Sequence, residues 1–278
     1  MLFLCLAILS SSAISLLMRV SSNKVSAKLS MLGINYLVCT LLSAAYAGFR
    51  LFPSVTEGLG RTMGLGVING FLFLGGFVLF QWNTRRNGMA LTSVFMKLGL
   101  LVPIALSVLV FRDRPTWTQI VGFCIALAAI ILINAKKGAG KNRLGWQLLL
   151  MLLMCGGADA MSKVFEVLGP GELADQFLFY TFAMALLLCG GLVIYQKEKP
   201  GLRELLYGAA IGVPNFFASK FLLLSLNNLP AVVVFPSFSI ATMLFATLAG
   251  VVFYKERLTK LQWLSLMAIL VALVLLNI

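Results

Sequence analysis

Phe111-Arg112-Asp113-Arg114-Pro115-Thr116-Trp117-Thr118-Gln119 returns 143 positions later as Tyr254-Lys255-Glu256-Arg257-Leu258-Thr259-Lys260-Leu261-Gln262. Aromatic meets aromatic, base meets base and acid meets acid, while Arg, Thr and Gln are kept. Each copy runs into an unbroken apolar stretch ending in Asn, at Asn134 and Asn277. The spacing is about half of the 278 residues, so the chain reads as one unit written twice.

The solvent of that unit is set by composition. The chain is 60% hydrophobic and only 11% charged, with a mean hydropathy of +0.99. A soluble domain carries about 25% charged residues. Lipid is therefore the expected surrounding, and segments that cross it must be helices, because hydrocarbon offers no partner to exposed backbone groups. Crossing takes about 20 apolar residues. The pattern predicts ten helices, near 2–18, 30–52, 63–84, 89–111, 117–135, 145–165, 175–196, 203–227, 231–253 and 260–277. The basic, Gly-containing stretch 136–144 reads as a linker between a first unit, 1–135, and a second, 145–278.

Each unit then holds five helices. An odd number makes each half end on the face opposite its start, so the second half enters inverted. Two inverted five-helix repeats in an all-α membrane protein are a recurrent basis for alternating access. The repeated phrase itself joins consecutive helices and reads as a hairpin element rather than a substrate site.

Other function classes fare worse. The net charge of +13 comes mostly from residues flanking apolar runs, as in membrane-protein loops, so nucleic acid is not expected as a partner. There is no histidine, which argues against metal-dependent hydrolysis, and no metal or cofactor is expected. Asp159 is the one acid deep in an apolar run, so a paired-aspartate protease is not supported. No phosphate-binding loop appears. Cys5, Cys39, Cys124, Cys155 and Cys189 lie within apolar runs, without metal spacing or a disulfide framework. The opening Met1-Leu2-Phe3 lacks a basic n-region, so a cleavable signal peptide is not expected.

The acid-Arg-x-Thr-x-x-Gln phrase, placed between the fourth and fifth helices and again between the ninth and tenth, resembles the EamA-type transporters of the drug/metabolite transporter superfamily. Their usual phrase is Gly-Glu-Arg followed by Thr and Gln; here Arg112 and Lys255 stand at the Gly position, and Asp113 replaces the first Glu. The match is clearest where 70–134 aligns with 213–277 without a gap. The resemblance implies a central cavity formed largely by helices three, four, eight and nine, with one and six contributing.

Ionisable groups at membrane depth cost about 2.5–3.5 kcal/mol each and usually face a cavity or a partner. Lys97 in helix four and Lys220 in helix eight belong to the set implied by the resemblance. Two ammonium groups on one cavity favour an anionic or carboxylate-bearing substrate, whereas snorkelling to an interface is the plainer reading. Asp159 precedes Lys163 by four residues on one face, which suggests a local ion pair. The sharper reading makes Asp159 a protonation site that couples transport to protons. Asn69, Asn215 and Trp82 are further candidate cavity groups, and Pro103, Pro214 and Pro236 are candidate hinges.

The expected function is a secondary active transporter in the cytoplasmic membrane. It moves a small polar or anionic metabolite, of the amino acid or organic acid class, as a monomer or homodimer among membrane lipids. A lipid flippase or scramblase, or a cationic drug exporter, on the same fold is the second reading. Loops after odd-numbered helices hold fifteen Lys and Arg against five after even-numbered ones, which places odd loops in the cytoplasm and both termini outside. A reporter fused at Ile278 checks this: activity confined to a periplasm-active reporter is expected, and a cytoplasmic signal reverses the orientation.

Overall fold

The computed structural model describes residues 1–21, 24–53, 58–87, 89–134, 146–254 and 260–276. These form α1 (Leu2–Ser21), α2 (Lys28–Tyr46), α3 (Leu59–Asn87), α4 (Met89–Leu98), α5 (Leu101–Leu109), α6 (Trp117–Asn134), α7 (Trp146–Leu168), α8 (Ala174–Gln196), α9 (Leu202–Leu226), α10 (Ala231–Tyr254) and α11 (Lys260–Leu276). A single 3-10 turn, Gly171–Leu173, precedes α8, and no strand occurs among the described residues. The linker 136–144, Asn277 and residues 255–259 of the second phrase lie outside the described residues.

Ten helical segments were expected, and their positions agree with the structure at most boundaries. Seven helices among the described residues are long and apolar enough to cross a membrane: α1, α2, α3, α7, α8 with its leading turn, α9 and α10. Two corrections have local causes. The second helix stops at Tyr46, not near 52, because Gly48 and Phe49 turn left-handed at φ +61° and +56°. Their N–H groups donate back to Ala45 and Ala44 carbonyls at 3.0 and 2.9 Å, which closes the helix end. The apolar Leu51 and Phe52 beyond it had extended the expected run. The fourth helix is broken into α4 and α5. Pro103 has no N–H, and its ring collides with the carbonyl four residues back, that of Gly99. The chain tightens there: Gly99, Leu100 and Val102 donate to carbonyls three residues earlier, at 3.2, 3.3 and 2.9 Å.

The chain divides into two compact units, each drawing on both halves of the sequence. One holds Met1–Leu74 and Val164–Asn227. In it α2 packs along α8 and α9, and α1 along α9. Gly208 and Gly212 let the α9 backbone approach α2: a Cβ at Gly208 would sit 2.6 Å from the Met31 carbonyl oxygen. Small residues at such crossings replace the hydrophobic drive that lipid removes. The other unit holds Gly75–Lys163 and Asn228–Ile278. There α6 and α11, the helices that follow the two phrases, pack together around Ala126, Ala129, Ala272 and Leu276.

The first phrase is a hairpin built from local hydrogen bonds. Asp113 N–H donates to the Ser107 carbonyl at 3.0 Å, and the Ser107 hydroxyl donates to the Asp113 carboxylate, so the acid closes the end of α5. Thr116 and Gln119 form a reciprocal cap on α6. Thr116 N–H donates to Gln119 Oε1 at 3.1 Å, and Gln119 N–H to Thr116 Oγ1 at 3.3 Å. Between them Arg112 sits at φ +59°, the left-handed region that favours glycine. That region costs a non-glycine residue about 1–2 kcal/mol. Arg112→Gly is therefore expected to hold or raise the melting temperature in detergent, while Arg112→Val lowers it; a large drop for the glycine variant would contradict this account of the turn.

Candidate functional site

Lys97 lies in the last turn of α4, two residues before Gly99, where the helix breaks. Its backbone carbonyl accepts from Leu100 across the break. The break packs against α7 at one point. Gly99 and Gly156 meet backbone to backbone, and a Cβ on Gly156 would strike the Gly99 carbonyl oxygen. Asp159 follows Gly156 by three residues, so the helix that touches the break also carries the acid alongside it.

Lys97 and Asp159 lie in each other's electrostatic field, with the Cys155 thiol in the same field. Each keeps an intermediate exposure. Among the described residues no ion pair or hydrogen bond closes between the two. Among the described residues the ammonium and the carboxylate are therefore not satisfied by each other. In a low-dielectric surrounding such a pair is costly unless something else satisfies it. A solute that carries a carboxylate, an ammonium group or both has complementary groups for it.

The expected Asp159–Lys163 pairing resolves differently. Lys163 is buried and pairs with Asp113 of the first phrase at 3.8 Å. One acid of the repeated phrase therefore also compensates a buried lysine of α7.

Lys220 belongs to the other unit and is not a free ammonium. Its Nζ donates to Asp175 Oδ1 at 2.8 Å and lies 3.7 Å from the centre of the Tyr46 ring. Asp175 opens α8 and Tyr46 closes α2, so Lys220 joins three elements. Asn215 Nδ2 donates to Asn35 Oδ1 at 3.1 Å, and the nearby Cys39 thiol donates to the Gly212 carbonyl at 3.3 Å. Asn69 is 2% exposed and donates to Thr181 Oγ1 at 3.3 Å, with no donor to its own Oδ1 among the described residues. Trp82 is partly exposed, and the Arg86 guanidinium covers its ring at 5.1 Å. Pro214 and Pro236 sit inside continuous helices, whereas Pro103 marks an actual break.

Sequence reasoning missed Asp175, Tyr46 and Asn35 as partners, and the Gly99–Gly156 contact. Asp175 and Tyr46 lie at helix ends, where a charge or a ring carries no sign of depth. Gly99 and Gly156 are 57 positions apart, and only the fold brings them together.

A relative from Haemophilus influenzae (strain Rd), itself an uncharacterized protein, is 22% identical over 274 residues, covering 95% of this chain and 93% of its own. A solved structure titled only as the crystal structure of a protein superposes with a TM-score of 0.73 at 16% identity, over 99% of this chain and 94% of its own, which speaks for the fold alone. The model of the EamA-like transporter family matches residues 1–135 and again 145–278. The chain therefore belongs to the EamA-like transporter family, within the drug/metabolite transporter superfamily, and is a multi-helix membrane protein.

Proposed function

We propose that this chain is a secondary active transporter of a small polar or anionic metabolite, of the amino acid or organic acid class, and that Lys97 and Asp159 contact the solute. The supporting observation is the unclosed charge pair beside a helix break, because discontinuous helices supply substrate and ion sites in many transporters. A zwitterion satisfies both charges at once. An organic acid engages Lys97 and is favoured when Asp159 is protonated, which links its movement to protons. Lys220, already held by Asp175 and Tyr46, is assigned no solute contact.

The repeats 1–135 and 145–278 carry five helices each in this reading and are inverted, so their exchange of conformations gives alternating access. Pro103, Pro214 and Pro236 are the hinges of that exchange. The charge bias puts the odd loops in the cytoplasm and the termini outside.

Thermal-shift screening of purified protein against amino acids, organic acids, nucleosides, phosphorylated sugars and cationic drugs tests the solute class. A ligand at 100 times its Kd adds about 2.7 kcal/mol of stability, so the true class stands out. Amino acids or organic acids are expected to stabilise. Lys97→Gln is expected to weaken that effect about 10- to 100-fold in concentration, the scale of a lost charge-assisted hydrogen bond. Stabilisation by cationic drugs alone, or an unaltered response in Lys97→Gln, would overturn the assignment.

The proton link has its own measurement. With no histidine in the chain, carboxylates must carry a protonation switch near neutral pH. Transport in proteoliposomes by Asp159→Asn is expected to lose most of its dependence on pH; full retention removes Asp159 from coupling.

A further inference from the structure

Helix α9 is fastened to α2 at both ends, by charged groups on either side of its internal proline. At its start, Glu204 is 5% exposed and reaches out of its own helix. Its Oε1 accepts from Ser26 N–H at 3.2 Å, Ser26 Oγ at 3.3 Å and Ala27 N–H at 3.4 Å, just before α2 begins. Its Oε2 accepts from Gly201 N–H at 3.1 Å. Glu198, in the turn before α9, adds a second carboxylate: its Oε2 accepts from Ser30 N–H at 2.9 Å and Ser30 Oγ at 3.0 Å. The first turn of a helix has free N–H groups and a positive dipole end. No side chain of α2's own N-cap residue, Ala27, satisfies them. Two acids from about 170 residues away do so instead.

At the far end, Lys220 is held by Asp175 and by the Tyr46 ring, at the C-terminal end of α2. Pro214 lies between the two fastenings, in the same helix. Proline removes one backbone hydrogen bond and weakens the helix locally. The close approaches at Gly208 and Gly212 keep the middle of α9 against α2.

We propose that Glu204 and Lys220 are two latches on α9, each securing one end of the α2–α9 pair, and that α9 bends at Pro214 when one latch releases while the other holds. The two latches differ in chemistry. The Glu204 end depends on a carboxylate capping a helix N-terminus, and the Lys220 end on an ammonium shared by a carboxylate and a ring. Each end is therefore separately sensitive to substitution. The proposal rests on the transport reading for its purpose but not for its test.

Ala27 and Ala44 are buried at opposite ends of α2, and neither side chain belongs to a latch. Ala27→Cys and Ala44→Cys, each in purified full-length protein in detergent, are reacted with a polar thiol reagent, with the unsubstituted chain as blank. Adding Glu204→Gln is expected to speed labelling of the Ala27→Cys thiol about tenfold, the scale of one lost charge-assisted contact, and to leave the Ala44→Cys thiol unchanged. Adding Lys220→Met, or independently Asp175→Asn, is expected to do the reverse. Equal acceleration at both ends means general loosening and overturns the latches; so does no change at either end in variants that keep the parent melting temperature. The opposite-end pattern in a protein that transports no tested solute upholds the latches and counts against the transport reading.

Discussion

Hydrocarbon supplies no hydrogen-bond partner, and this constraint shapes every part of the protein. A backbone group left open there costs several kcal/mol. The chain meets the demand with continuous helices and, at the break between α4 and α5, by shifting to tighter three-residue hydrogen bonds around Gly99. The break is then pressed against Gly156, where two glycine backbones touch. Irregular backbone at membrane depth is tolerated where protein covers it or where it lines a cavity. The glycine contact covers one side of the break, and the Lys97–Asp159 pair stands beside it.

Charge obeys the same rule with larger stakes. Lys163 has Asp113 and Lys220 has Asp175. Glu204 and Glu198 are surrounded by donors from the start of α2. Each of these groups sits where a helix end or a hairpin presents a complementary partner, so each contributes to fastening. Lys97 and Asp159 differ: both are held in one field without direct closure. Fastened charges explain how helices stay together. An unfastened pair is what a solute site needs, because binding energy comes from groups the protein has not already satisfied.

The helices were legible because lipid makes an apolar run and a helix nearly the same statement. The hairpin was legible as a repeat, and its Thr116-to-Gln119 spacing is also a capping signal in plain sequence. Arg112 at a left-handed position explains what the resemblance could only record, a family glycine at that place. Partners of buried charges were less legible. Lys163 seemed paired within its own helix because helical spacing was the only geometry available before folding. In the structure its ammonium also meets Asp113, which comes from a different hairpin. The ammonium of Lys220 looked free for an anion only because Asp175 and Tyr46 stand 45 and 174 positions away.

The two stretches that each match the family hold aligned helices, and these differ in a physically specific way. Lys97 aligns with Ile240, which is fully buried in the cluster around α6 and α11. Pro103 aligns with Ala246, and α10 runs unbroken where its counterpart splits into α4 and α5. One copy thus keeps an apolar residue in a continuous packing helix. The other carries a lysine and a break at the corresponding level. A charge at Ile240 would sit among aliphatic side chains with no partner in that cluster, and a break there would open the core it supports. The copy that packs is therefore barred from carrying a charge at that level, which is why the proposed lysine contact is placed at Lys97 and not at its counterpart.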